Sequence, residues 1–107
     1  MDSPVKSKNG VPIRLTDERW SHITEEHAEL INMQSHVLKT VAEPERILAG
    51  GQEELLAVGK IESAKWLVVV YRELSEDGFV ITAFLTRRIR SLNKRRQIWP
   101  LPTSENI

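Results

Sequence analysis

Few side chains in this chain can do chemistry, and most of them fall into two places. His22 and His27 stand five residues apart near the start, and His36 follows; the sequence contains no cysteine. Without cysteine there is no disulfide, no thiolate zinc centre, no iron–sulfur cluster and no thiol nucleophile. On a continuous helix a spacing of five separates His22 and His27 by about 140°. Zinc-binding histidine pairs on one helix use a spacing of four with a glutamate beside them, so no metal site and no cofactor are expected. The other reading is proton transfer. If the helix stops near Thr24 and the chain turns back, both imidazoles reach one edge of a sheet, where one can take a proton and the other give one. The plainer alternative has His22 as a partly buried helix residue beside Trp20 and His27 as a loop residue. His36 lies about 125° from the centre of its helix's apolar stripe, a border position that faces solvent.

The second place is the later half of the chain. Thr82 and Thr86 flank Phe84 on one face of an expected strand, and their hydroxyls suit phosphate or ribose oxygens. Threonine also favours strands for its own reasons. Lys60 and Arg72, near strand ends, can lend positive charge to a concave sheet face. Fifteen Lys+Arg balance fifteen Asp+Glu, but the balance is uneven along the chain. Asp17, Glu18, Glu25, Glu26 and Glu29 crowd one segment against Arg19 alone. Arg87, Arg88, Arg90, Lys94, Arg95 and Arg96 crowd another without an acid. Such a basic end attracts phosphate locally on a neutral chain, or serves only as a solvated face. Gly50-Gly51 lacks the flanking pattern of a phosphate loop and reads as a turn.

These residues need a frame to hold them. With 107 residues, the chain suits one domain of the common size of about 100–150 residues. Residues 1–10 read as a loose tail, 11–99 as a single domain and 100–107 as a C-terminal tail. Val11 to Leu15 suits a short strand. Thr16 before Asp17 and Glu18 suits a helix N-cap, with Trp20 and Ile23 turned inward and an end near Thr24. Leu30, Met33, Val37, Leu38 and Val41 fall on one stripe of a second helix, which Pro44 helps to end. Glu53–Ile61, Trp66–Glu73 and Phe79–Thr86 read as strands, with turn chemistry at Ser75-Glu76-Asp77-Gly78. Leu67-Val68-Val69-Val70 is apolar on both faces, which makes its strand central. In the last strand, strict alternation puts Ile81, Ala83 and Leu85 on one face and Val80, Thr82, Phe84 and Thr86 on the other. Ser91 to Gln97 suits a short basic helix. The whole is an α+β domain with helices packed on an antiparallel sheet. The longest apolar run, Trp66 to Tyr71, is far short of the roughly twenty residues of a membrane span. Met1-Asp2-Ser3-Pro4-Val5-Lys6 has no basic and apolar leader pattern, so a cytoplasmic location and no membrane partner are expected.

One set of short motifs resembles a known family in its order. Arg14-Leu15-Thr16-x-Glu18-Arg19-Trp20-x-His22-Ile23 is followed by His27-x-Glu29, Pro44-x-x-Ile47, Leu67-Val68-Val69-Val70 and Ile81-Thr82-Ala83-Phe84-x-Thr86. Over about residues 12–87 this series is similar to the phage-associated barnase–EndoU–colicin–RelE-like nucleases. The resemblance implies N-terminal helices on a curved antiparallel sheet of about four strands. It also implies a metal-independent ribonuclease, toxin-like or derived from a mobile element, with RNA as substrate and a cognate inhibitor or antitoxin protein as a second partner. Carried over position by position, His22, His27 and Thr82 take the catalytic places. Lys60, Arg72, Thr86, Arg87 and Arg88 take the substrate-binding ones. The carboxylates Glu25 and Glu26 beside His27 fit RNA only if they turn outward, because they repel phosphate.

The expected activity is therefore endoribonuclease cleavage by attack of the ribose 2′-hydroxyl, leaving a 2′,3′-cyclic phosphate. The alternative is a non-catalytic RNA- or protein-binding module on the same fold, which uses the basic C-terminal segment and Trp99.

Overall fold

A computed structural model describes residues 4–101. Among them lie seven strands and three α-helices. In chain order these are β1 (Val5–Lys6), β2 (Pro12–Arg14), α1 (Asp17–Glu26), α2 (Gln34–Ala42), β3 (Arg46–Ala49), β4 (Leu55–Glu62), β5 (Lys65–Glu73), β6 (Gly78–Thr86), α3 (Ile89–Asn93) and β7 (Gln97–Trp99). A single 3₁₀ turn, Ala28–Leu30, separates α1 from α2. The α+β class read from the sequence is the class observed.

The sheet departs from the expected four antiparallel strands. Its order is β1-β2-β6-β5-β4-β3-β7, and it is mixed, because β2 runs parallel to β6 through Ile13↔Gly78 and Arg14↔Phe79. The extra strands are short segments that composition hides. Residues 4–10, read as a loose tail, supply β1, which pairs antiparallel with β2. Ser7 just after it is buried, and Glu73 at the end of β5 accepts hydrogen bonds from the Ser7 hydroxyl and from Asn9. Arg46–Ala49, whose composition favours no element type, pairs antiparallel with β4 and also carries β7 along its other side. The C-terminal tail expected over 100–107 lies largely outside the described residues.

The central strand is where the apolar run places it. β5 sits between β4 and β6, antiparallel to both, and Leu67, Val68 and Val69 are fully buried. Its two faces feed two cores. On one side Leu67, Val69 and Tyr71 pack with Ile23 of α1, Leu30, and Val37 and Val41 of α2. On the other, Val68 and Val70 pack with Leu48, Leu56, Val58 and Leu92 of α3. The stripe read as one long second helix is thus divided. Leu30 belongs to the 3₁₀ turn and Met33 stands at the N-cap of α2. The strand expected from Glu53 starts at Leu55, because Gln52 and Glu53 take left-handed φ values of 53° and 70° that no strand accepts. The basic helix expected over Ser91–Gln97 is shorter and earlier, at Ile89–Asn93, and the chain then returns to the sheet as β7.

An irregularity in β6 decides which side chains face α1. Val70 pairs with Thr82 but Tyr71 pairs with Val80, which leaves Ile81 as the additional residue of a β-bulge. Strict alternation therefore fails. Val80 and Ala83 both enter the helix-side core, while Ile81 and Phe84 pack on the opposite one. At the start of β6, Gly78 is required by close approach. A Cβ there would collide with the Arg72 carbonyl oxygen and lie 2.8 Å from Ile13 Cδ1.

Candidate functional site

The first turn of α1 sets the orientation of everything along it. Thr16 is extended and accepts a hydrogen bond at its hydroxyl from the Arg19 amide at 3.1 Å. Asp17 and Glu18 add negative charge where the helix dipole is positive. From that start Arg19, His22, Ile23 and Glu26 follow at the i, i+3, i+4, i+7 spacing of a single helix stripe. Ile23 is buried in the core and pins the stripe, and α1 packs along β6.

The stripe opens onto a cleft of about 490 Å³ between α1 and β6. Its helix wall consists of Arg19, His22, Ile23 and Glu26, with His27 at the helix end, and its sheet wall is Ile81 and Thr82. Two consecutive residues of β6 line one cleft because of the bulge at Ile81, a device that re-aims side chains next to functional sites.

His22, His27 and Thr82 thus converge, but not by the expected route. The helix does not stop near Thr24; it runs to Glu26. The 140° offset is removed at the C-cap. His27 leaves helical geometry at φ −132° and ψ 71° while its amide still donates to the Ile23 carbonyl at 2.8 Å. The imidazole then lies against Phe84 of β6, ring centroids 6.4 Å apart. The His27 side chain is 30% exposed and that of His22 is 59% exposed, so the two meet solvent unequally. A carboxylate accompanies each: Glu18 Oε2 lies 4.0 Å from His22 Nε2, and Glu29 Oε2 lies 3.8 Å from His27 Nδ1. Both separations exceed hydrogen-bond length, so these are charge neighbours and not fixed partners.

The five residues assigned to substrate binding do not line this cleft. Thr86 and Arg88 line a second hollow farther along β6. The Arg87 guanidinium donates to the Ala64 carbonyl at 3.3 Å and pairs with Glu62 at 3.7 Å. Arg72 pairs with Glu53 at 3.5 Å. Lys60 borders a small hollow beside α2 with His36 and Lys39, where its amide donates to the Glu45 carboxylate at 3.2 Å.

In place of these cations the cleft has Arg19, which sequence reasoning passed over. The sequence carries the signal, since Arg19, His22 and Glu26 share a helix stripe with the buried Ile23. Glu26 lines the cleft, so the outward turn that RNA would require of Glu25 and Glu26 is not met at Glu26, and its carboxylate opposes phosphate there. The cleft therefore combines one guanidinium, two imidazoles, one carboxylate and one hydroxyl. Among the described residues no group of three or more His, Asp or Glu side chains is arranged to hold a metal ion. Comparison with protein families, with curated proteins and with solved structures finds no match for the chain.

Proposed function

We propose that the protein is a metal-independent endoribonuclease with its reaction centre in the α1–β6 cleft, on a barnase-like variant of the α+β fold. The observation that carries this reading is the convergence of His22, His27 and Thr82 on one cleft, from a helix, its C-cap and a strand remote in sequence. An acid–base pair with a neighbouring cation is what RNA transesterification needs.

One imidazole accepts the proton of the ribose 2′-hydroxyl as that oxygen attacks the adjacent phosphorus. The P–O5′ bond breaks, the other imidazole donates a proton to the departing 5′ oxygen, and a 2′,3′-cyclic phosphate remains. Negative charge accumulates on the phosphoryl oxygens during this step. Arg19 neutralises it from the helix wall and the Thr82 hydroxyl donates to it from the sheet wall. Glu26 opposes a second phosphate on the same wall, which favours a substrate that presents one phosphodiester to the cleft at a time.

The test is cleavage of a panel of RNAs, tRNA included, in excess EDTA. The expected products carry 2′,3′-cyclic phosphate ends, and DNA and RNA with a 2′-deoxyribose at the cut site resist, because they lack the nucleophile. Activity is expected to follow a bell-shaped pH profile, as two proton-transfer groups require. Cleavage that disappears with EDTA overturns the mechanism. Intact RNA binding with no cleavage across the panel favours the binding module, for which the basic segment around α3 is the specific support.

A further inference from the structure

The hollow farther along β6 has a chemistry of its own. It encloses about 360 Å³ between the β3–β4 turn, β6 and α3, within the range of small-ligand pockets, about 300–1,000 Å³. Its floor is apolar, made by Leu56, Val70 and Phe84. Its rim is cationic, with Arg88 and Arg95, and Glu54 is the single acid among the lining residues.

The two guanidiniums are available to a ligand in a way that Arg87 is not. Neither is part of an ion pair among the described residues. Arg95 is steadied by one bond, from Nη1 to the Ala49 carbonyl at 3.2 Å, and keeps its other donors. The Arg88 amide donates to Thr86 Oγ1 at 3.0 Å, turning the chain back toward the hollow directly after β6. Because that bond uses a Thr86 lone pair, the hydroxyl proton remains free to donate.

We infer that this hollow is a nucleotide subsite. The base lies on Phe84 and the apolar floor, and its phosphate lies between Arg88 and Arg95 with a hydrogen bond from Thr86. An apolar floor under a cationic rim fits a molecule with one flat face and one anionic end. Glu54 repels a bare polyanion and accepts from a base N–H, so a nucleotide fits better than free phosphate. The inference rests on the ribonuclease reading for its place in catalysis. Phe84 is shared by both sites, with its ring centroid 6.4 Å from that of His27 and the residue also lining the hollow. A strand of RNA along β6 would thus meet both, since Thr82 and Thr86 are about 13 Å apart at the usual rise per residue.

The experiment is a binding titration of the unaltered protein with adenosine 3′-monophosphate, inorganic phosphate and adenosine, followed by amide NMR shifts. None of the three is cleaved, so the result does not depend on activity. The expected outcome is that the nucleotide moves the signals of Gly50, Gly51, Thr86 and Arg88 and binds more tightly than phosphate or adenosine. R88Q and R95Q should each weaken it by about tenfold, the worth of a charge-assisted hydrogen bond. Phosphate binding as tightly as the nucleotide, shifts confined to the α1 cleft, or unchanged affinity in the R88Q/R95Q double variant each overturns the subsite. Nucleotide binding without RNA cleavage retains the subsite and removes the ribonuclease reading. RNA cleavage whose KM is unmoved by R88Q/R95Q does the reverse.

Discussion

The two hollows along β6 are neighbours with opposite chemistry. The one under α1 holds two imidazoles and a carboxylate, groups that can exchange protons, beside a single guanidinium. The one beside α3 holds two guanidiniums, two hydroxyls and an aromatic floor, with Glu54 as its only acid. Arginine does not deprotonate in proteins, so the second hollow can attract and hold but cannot transfer a proton. The difference arises from the elements that build each wall. A ten-residue helix with a good N-cap presents side chains in a fixed stripe, which suits geometry-dependent chemistry. A five-residue helix flanked by Arg88 before it and Arg95 after it sets two guanidiniums at one rim, which suits attraction. On the proposed reading, the contrast separates a place for reaction from a place for capture.

The largest effect that tests this contrast is on catalytic rate. H22A and H27A are each expected to lower kcat for RNA cleavage by about 10²–10⁴ with KM little changed, the usual worth of a general acid or base. R88Q and R95Q are expected to do the opposite, raising KM and reducing its salt dependence while kcat holds. Steady-state kinetics at two ionic strengths measures both. If the histidine variants change only KM, or the arginine variants change only kcat, the division of labour is wrong.

The sequence made the protein's frame legible where local pattern and tertiary burial agree. Leu67 to Val70 is apolar on both faces, and a strand of that kind has only the centre of a sheet to occupy. Thr16, Asp17 and Glu18 announce a helix start because capping is a local event, decided within about four residues. What stayed hidden depends on distant partners. β1 is two residues long and only partly covered, and it is held by pairing with β2 and by the bond from Ser7, just after it, to Glu73 rather than by its own composition. The bulge at Ile81 is a mismatch between β5 and β6, invisible in either strand alone, and it reverses the face assigned to Val80. The site shows the same division. His22, His27 and Thr82, proposed together from motif order, line one cleft. Arg19 and Glu26 required the helix stripe to be read for function as well as for burial. The cations at Arg72 and Arg87 look free in sequence, but Glu53 and Glu62 engage them, and Lys60 borders a hollow beside α2 instead of the cleft.

A smaller effect concerns α1, the helix that walls the proposed reaction cleft. T16A removes the hydroxyl that accepts from the Arg19 amide, and loss of such a cap costs about 1 kcal/mol of stability. Thermal or urea unfolding measures it. Because Arg19 and His22 lie in the first two turns, the same substitution should reduce kcat while nucleotide binding beside α3 is unchanged. Equal loss at both sites would mean that the two hollows are one mechanical unit.

The smallest effect sits in the core on the helix side, at the step in register between β5 and β6. Tyr71 is fully buried, and its hydroxyl has no hydrogen-bond partner among the described residues. Burial, and secondarily the charge of Glu73, push its phenol well above the ordinary value. The folded chain therefore keeps this group neutral where an unfolded chain ionises it, above about pH 10. With the folded value raised, its contribution to stability is fully present below about pH 10 and is lost as the pH rises beyond that. Y71F removes both the unpartnered hydroxyl and the titration. At neutral pH it is expected to leave stability unchanged or raise it by about 1 kcal/mol, since an unsatisfied buried polar group is relieved at little cost in shape. At alkaline pH its stability should fall less steeply than that of the unaltered protein. Urea unfolding at about pH 7 and about pH 10.5–11 measures the difference, and both clefts should retain their activity and binding at neutral pH. A clear loss of stability at neutral pH would show that the hydroxyl does find a partner in the folded protein.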